Sequence, residues 1–422
     1  MTKSRRWLLA GLIVFLLAGG AVVWSAQLGA QASNGGESLR TVLEVISLLK
    51  TQYIEDIDAM ALITGYIEMG TINGMIKAAI TDDPYTRYLD VKGFEQMQID
   101  THGEYGGVGI TVGIKDDVIT VVAPFEGTPG YEAGLRPGDQ IISIDGKSTE
   151  FMSLDEAVSL MRGPDGEPVV LGIRRRGGEP FEVTIVRRII QVPSVTDVEL
   201  FEPRTFPGQE HPFGYIRLQR FSEKTEAEME EALLKLRGKA AGLILDLRDN
   251  PGGTLNAAID VANKFLSEGP IVHIVGRDQR RQTIYAFPRG THPRIPMVVL
   301  VNGYSASASE ILSGALQDRG YATLVGTTTF GKGLVQTVIP LRDGSALSLT
   351  SARYETAGGR DIHKEGIVPD IIVEMPDIEE LLGEDEEGET LVATIPLEKD
   401  PQFLKAVEAL MEKIGQQREM AG

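Results

Sequence analysis

The 422-residue chain contains no cysteine, which excludes disulfides, thiolate nucleophiles and cysteine-ligated zinc at once. Histidine is nearly as scarce. His102, His211, His273, His292 and His363 are the full set, so histidine-dependent catalysis and His-rich metal sites are short of material. Positive charge is also in deficit, with 41 Lys and Arg against 60 Asp and Glu for a formal net charge of −19. Phosphate binding needs a basic surface, so nucleic acid is not the expected partner. Core-forming material is present in ordinary amount: 42% hydrophobic and 24% charged residues exclude wholesale disorder. At roughly 100–200 residues per domain the length predicts two to four domains. Glycine is in excess at 48 residues, which predicts many tight turns or close backbone approaches.

The start of the chain reads as an address. Lys3, Arg5 and Arg6 precede an apolar run at 7–24, and Ala30-Gln31-Ala32 offers small residues at signal-peptidase spacing. The run has 18 residues, long for a signal core and at the lower limit for a membrane span. Cleavage and retention as an anchor both remain open for residues 1–32. Either one places the remainder outside the cytoplasm, secreted or anchored by a single N-terminal span, with membrane contact through this segment.

Residues 33–100 follow as a short Ser/Asn/Gly linker and a helical segment. Leu39, Val42, Leu43, Ile46 and Leu49 recur at helical spacing, and a second apolar-periodic stretch covers 63–80. These helices, and a further helical piece at 402–414, either pack on the chain itself or serve as arms of a homodimer or higher homo-oligomer. From about residue 101 to 188 the texture changes to five or six short β-type runs with glycine turns and one helix around Leu154, Ala157, Val158 and Met161. There "AGLRPGDQIISIDG" closely resembles the PDZ family, and "GGVGI" is similar to its carboxylate-binding loop. The resemblance implies that Gly107, Val108, Gly109 and Ile110 bind the free C-terminus of an extended peptide, added as a strand at a sheet edge.

Between 189 and 376 strands and helices alternate. The apolar strands 243–247 and 297–301 each lead through a turn into a helix, which predicts an α/β core with a largely parallel sheet. Eight acidic and no basic residues crowd 377–389, a solvated linker by composition. Phe403, Ala406, Val407, Leu410 and Ile414 then mark a last amphipathic helix within 377–422.

Three segments of the α/β region could carry chemistry. In Ser305-Ala306-Ser307-Ala308-Ser309-Glu310, Ser307-x-x-Glu310 is a capping box, and most serines in that pattern only cap. A serine at a strand-to-helix turn nevertheless exposes its oxygen where the helix N-terminus favours developing negative charge. The G-x-S-x-G elbow is absent. The stretch Gly326–Gly333 lacks one residue of a phosphate loop: position 333 is glycine, not Ser or Thr, and a strand rather than a helix is expected next. Nucleotide binding is therefore excluded. In an extended strand Lys332 and Gln336 would share a face, and a lysine shielded from water favours the neutral amine that a general base needs. A surface lysine in a turn is the simpler reading of that segment alone. In Asn250-Pro251-Gly252-Gly253 two glycines free backbone N–H groups to face a ligand, or simply make a strand-to-helix turn.

In this order the segments resemble the carboxyl-terminal processing peptidases (tail-specific, CtpA-like), from about residue 39 to 375. "DPYTRYL", "LDLRDNPGG", "SASASEILSGALQD", "TFGKGLVQ" and "GIVPDI" carry the match. Tyr85 is a departure, standing where the family commonly has histidine. The resemblance implies a crotonase/ClpP-like α/β protease core with an inserted PDZ domain and flanking helical segments. It implies a Ser–Lys dyad of Ser307 and Lys332 with Gln336 orienting the lysine. The oxyanion hole it implies is the N–H of Gly253, with Gly252 the close alternative, together with that of Ala308. No metal or cofactor is required. The expected substrates are proteins with flexible C-termini, gated by the PDZ module, and an activator or adaptor protein is compatible with that arrangement. The competing readings are a non-catalytic PDZ scaffold on a dead protease core and an acyl-CoA enzyme of the crotonase kind.

Overall fold

The computed structural model describes residues 38–115, 118–176, 178–376 and 395–421. The expected leader at 1–32 and the acidic run at 377–389 lie outside the described residues. Among the described residues no helix is long and apolar enough to cross a membrane. The chain divides into two compact units. One joins the described part of the first 91 residues to Gln336–Thr350, and the other joins Lys92–Val335 to Ser351–Gly422.

The first unit is built on the helices Leu39–Gln52, Ala59–Met69 and Ile72–Ala79. Each starts where a short polar side chain accepts a free first-turn N–H: Ser38 from Thr41, Asp58 from Met60 and Thr71 from Gly74. The periodic stripe on the first helix splits, with Val42, Val45 and Leu49 buried and Leu39 and Leu43 exposed. The buried side meets Leu62, Ile72, Met75 and Ile76, and is completed by Leu341, Leu347 and Leu349. Those last three explain why 336–350, expected within the α/β core, joins the helices instead: the alternating apolar residues of the strand pair supply the missing side of a small core. The "DPYTRYL" segment belongs here too, with Arg87–Leu89 pairing antiparallel to Ala346–Ser348.

In the second unit, strands Ile110–Lys115, Val118–Pro124, Gln140–Ile144, Pro168–Arg174 and Phe181–Val186 form an antiparallel sheet in the order just given. The strand Ile110–Lys115 is its edge. Helix Leu154–Met161 closes the core, burying Ala157 and Met161 with Val121, Ile141, Leu171 and Ile173. A separate two-stranded ladder pairs Glu104–Gly107 with Arg188–Gln191.

The α/β part is a six-stranded sheet in the order Val195–Phe201, Phe213–Leu218, Leu243–Asp246, Met297–Val301, Ala322–Gly326 and Ile371–Ile372. The first pair is antiparallel and all later pairs are parallel. Strand Met297–Val301 is buried throughout, as a parallel strand covered on both faces must be. One face is covered by helices Thr225–Leu236, Leu255–Phe265 and Ala308–Asp318. The other is covered by the C-terminal helix Pro401–Ala421, which buries Phe403, Ala406, Val407, Leu410 and Ile414 against Phe213, Tyr215, Ile244, Val298 and Leu300. Burial of each large side chain here contributes about 1.5–3 kcal/mol. This helix therefore packs within its own chain. In open α/β sheets the site lies beyond the carboxyl ends of the strands. The two central strands Leu243–Asp246 and Met297–Val301 deliver the chain there to 250–253 and 305–309.

Candidate active site

The three serines of 305–309 are not equivalent. Ser305 and Ser309 are fully buried and spent on structure. Ser305 Oγ donates to Leu247 O at 2.8 Å and accepts from Asn302 N–H at 2.9 Å. Ser309 Oγ donates to Asn250 O at 2.9 Å. Ser307 alone is partly exposed. Its backbone sits at φ 55, ψ −112, a conformation an L-residue adopts only at a cost. It directly precedes helix Ala308–Asp318, so its side chain stands at the helix's electropositive end. A sharp, strained strand-to-helix turn is thus present without the G-x-S-x-G sequence.

The turn at 250–253 is bolted to this segment. Asn250 O also accepts from Ala306 N–H at 3.0 Å, and the Asn250 carboxamide nitrogen donates to Leu218 O at 2.7 Å. Gly252 is at φ +99, and a Cβ there would lie 2.9 Å from both Ala308 N and the Ser307 Cβ; only glycine allows the approach. The Gly252 N–H is taken by Asn250 Oδ1 at 2.9 Å. Gly253 pairs with Phe221 through its neighbours, Phe221 N–H donating to Gly252 O and Thr254 N–H to Phe221 O. Among the described residues neither the Gly253 N–H nor the Ala308 N–H has an acceptor.

Lys332 lies just before strand Leu334–Pro340, so the alternation argument for its side chain did not apply. Its flanks are tight, since a Cβ on Gly331 would lie 2.9 Å from Gly366 N and one on Gly333 2.9 Å from His363 N. Glu310 joins the lysine loop to the serine. Its Oε2 accepts from Ser307 N–H at 2.8 Å and from Lys332 N–H at 2.9 Å, so those two nitrogens are no more than 5.7 Å apart. Tyr354 makes a second tie, donating its hydroxyl to Ser307 O at 3.1 Å and its N–H to Gly333 O at 3.0 Å. The sequence offered Glu310 only as a cap, and nothing in it marked Asn250 or Tyr354 as bracing residues.

Ser307, Ala308, Gly252, Gly253 and Lys332 thus belong to one neighbourhood of the second unit. Gln336 belongs to the first. There its carboxamide nitrogen donates to Thr350 Oγ1 at 3.2 Å. Thr350 N–H donates to Thr86 Oγ1 at 3.0 Å, and the Thr86 hydroxyl to Asp83 Oδ2 at 2.6 Å.

The Gly107–Ile110 segment lies elsewhere, on a cavity of about 870 Å³. Gly107 is in the ladder opposite Arg188, and the other three line the cavity with Val112, Val158 and Met161. Gly109 turns at φ +73. Its carbonyl accepts from Phe125 N–H at 3.0 Å and Thr128 Oγ1 at 2.9 Å, which turns the carbonyl inward. An apolar trough beside a free sheet edge fits an added peptide strand.

Residues 212–373 match Peptidase family S41, and residues 119–175 match the PDZ domain. A carboxyl-terminal-processing protease of Synechocystis sp. is 46% identical over 302 residues, covering 71% of this chain and 69% of the relative. The carboxy-terminal processing protease CtpA of Bacillus subtilis is 36% identical over 351 residues, covering 83% and 72%. Among solved structures, a photosystem II D1 C-terminal processing protease is 31% identical, covers 79% of this chain and 92% of its own, and superposes with a TM-score of 0.50. With a partly exposed serine at a strained turn and this kinship along most of its length, the chain belongs to peptidase family S41 as a serine-type protease of the carboxyl-terminal processing kind.

Proposed function

We propose that the chain is a Ser–Lys endopeptidase that cleaves extracytoplasmic proteins near their C-termini. Ser307 is the nucleophile and Lys332 the base. The observation that carries this reading is the Glu310 oxygen that accepts from both Ser307 N–H and Lys332 N–H, because a dyad needs its two members within side-chain reach. Neutral Lys332 takes the Ser307 proton as Oγ attacks a peptide carbonyl. The oxyanion forms against the N–H groups of Gly253 and Ala308, and the lysinium then protonates the leaving amine. Water hydrolyses the acyl-enzyme by the reverse sequence. Gly252 is set aside as a donor, since its N–H already has an acceptor.

The trough at Val108–Ile110 would hold the substrate's free terminus and gate the dyad. The paired backbone donors at the ends of parallel strands support a crotonase/ClpP-like layout of the core. Self-association is proposed for the helical segment, on whose surface Leu39, Leu43, Met60 and Ile67 are exposed. Delivery across a membrane rests on the basic and apolar residues of the first 32.

The test is incubation of Ser307→Ala and Lys332→Ala proteins with an unstructured protein such as reduced, carboxymethylated casein. Each variant is expected to lose about 10⁴-fold in kcat. Cleavage undiminished in Ser307→Ala would sink the assignment. Absence of cleavage by the parent chain would favour a peptide-binding scaffold.

A further inference from the structure

Glu310 is completely enclosed, and among the described residues it has no cationic partner within ion-pair distance. A buried carboxylate without a counter-charge is costly unless hydrogen-bond donors replace its lost water. Here four do. Oε1 accepts from Thr329 Oγ1 at 2.6 Å and from Gly331 N–H at 2.7 Å. Oε2 accepts from Ser307 N–H at 2.8 Å and from Lys332 N–H at 2.9 Å. A carboxylate has about four lone-pair sites, and all are filled.

A helix cap does not account for this. A capping box needs only the Ser307 N–H, and glutamine serves in it as well as glutamate. The other three donors come from 329–332, a loop that reaches the carboxylate only through the tertiary fold. That loop is itself braced from behind. Thr329 Oγ1 accepts from Ile367 N–H at 2.7 Å, and Thr329 N–H donates to Ile367 O at 3.1 Å. Gly366 meets Thr329 so closely that a Cβ would lie 2.2 Å from its carbonyl oxygen. The "GIVPDI" segment, which has no part in the chemistry itself, is the backstop.

We propose that Glu310 is a positioning residue that sets the Ser307–Lys332 separation, with Thr329 as its second support. The proposal rests on the Ser–Lys reading above. Its chemical signature is that both oxygens must accept. A glutamine carboxamide is isosteric but presents an NH₂ on one side. Turned one way, its NH₂ faces the N–H groups of Ser307 and Lys332; turned the other, it faces the Gly331 N–H and Thr329 must reverse its hydroxyl to accept, so either way the clamp loses a support. Displacement of reacting groups by about 1 Å can cost about 10²-fold in rate, while substrate binding in the PDZ trough is untouched.

The experiment compares Glu310→Gln, Thr329→Val and Thr329→Ser in the full chain. It measures kcat and KM on carboxymethylated casein, labelling of Ser307 by a fluorophosphonate, and the melting temperature. Glu310→Gln is expected to lower kcat about 100-fold with KM within twofold, and to slow labelling by a similar factor. Thr329→Val should lose about tenfold in kcat, with Thr329→Ser restored to within twofold of the parent. Glu310→Gln within threefold of parent kcat would overturn the proposal and leave Glu310 a cap. So would losses that vanish on cooling below each variant's melting range. If Glu310→Gln does not fold, Thr329→Val decides: parent-like kcat overturns the clamp. Failure of the underlying dyad reading is separately visible, as cleavage that persists in Ser307→Ala or Lys332→Ala.

Discussion

The carboxamide oxygen of Asn250 accepts the N–H of Gly252 at 2.9 Å, and this bond divides the work of two adjacent glycines. Gly252 gives the serine segment room to approach, and the Gly253 N–H has no acceptor among the described residues. Asn250 holds the division from the centre, donating to Leu218 O and accepting Ala306 N–H and Ser309 Oγ on its own carbonyl.

Asn250→Ala should therefore act on the transition state. The backbone carbonyl and its two donors remain, but the turn loses the bonds that fix the direction of its N–H groups. Loss of one oxyanion donor costs about 10²–10³ in kcat, and misdirection should cost toward the lower figure. Steady-state kinetics on casein would show kcat reduced with KM held; an equal rise in KM would point to substrate binding instead.

The conformation of Ser307 makes a prediction about stability that is independent of activity. A non-glycine residue in this region costs about 1–3 kcal/mol, and glycine costs about 0.5–1 kcal/mol through its extra freedom when unfolded. Ser307→Gly should be inactive yet about 1 kcal/mol more stable than Ser307→Ala. Chemical denaturation of the two variants measures the difference, and a less stable glycine variant would show the turn to be unstrained.

The order of motifs along the chain made the candidate serine, lysine and double-glycine segments legible, because each is a short local pattern that follows a buried strand. What joined them was not legible. Glu310 carries the local signature of a cap, yet three of its four donors come from residues 19 to 22 positions further on. Tyr354 reaches Ser307 O from 47 positions away. Within the repeating Ser-Ala pattern only Glu310 three residues on and the family resemblance set Ser307 apart, and burial then separates it from Ser305 and Ser309. The alternation expected to align Lys332 with Gln336 did not apply because the strand begins only at Leu334. In the terminal helix the apolar stripe was plain, but the sheet face it covers depends on the whole α/β topology.

The trough beside Ile110–Lys115 should read a free carboxylate. Hydrogen bonds from backbone N–H to a charged group contribute about 1.5–3 kcal/mol. Amidating the C-terminus of a peptide substrate should accordingly raise KM by about 10- to 100-fold and leave kcat little changed. Equal KM values for acid and amide would exclude a carboxylate site at Val108–Ile110.

Asp139 gives the same module a pH dependence. Burial acts to raise its pKa, but two hydrogen bonds from Arg175, each at 2.7 Å, and one from Arg136 N–H at 2.8 Å outweigh it. The carboxyl is held below its usual range. Its stabilisation is therefore complete above the unfolded value of about 3.9 and fades as pH falls through the lower folded value. Unfolding followed from pH 7 to pH 2.5 should show the parent losing stability faster than Asp139→Asn at the acid end. Parallel curves would mean that Asp139 binds its proton equally in both states.

The ion pairs of Arg248 tie the C-terminal helix to the strand that leads into the turn at 250–253. Arg248 donates to Asp246 at 2.7 Å and to Asp400 at 2.6 Å, with all three side chains buried. Burial works to lower the guanidinium's pKa, but the two carboxylates outweigh it and hold the charge. Tyr215 completes the cluster by donating to Asp246 at 2.9 Å. Asp400 also accepts Phe403 N–H at 3.0 Å, so a single carboxylate both starts helix Pro401–Ala421 and pairs with Arg248, two residues before Asn250. Breaking a buried pair costs about 3–5 kcal/mol. Because Asp246 remains on Arg248, Asp400→Ala should fall near the lower figure. The released helix N-terminus should exchange its amide hydrogens faster around Phe403 and Val407, and kcat should fall through the Arg248–Asn250 turn. Hydrogen exchange unchanged in that helix, with stability within about 0.5 kcal/mol of the parent as for an ordinary surface substitution, would show that apolar packing alone holds the C-terminal helix and that the turn does not depend on it.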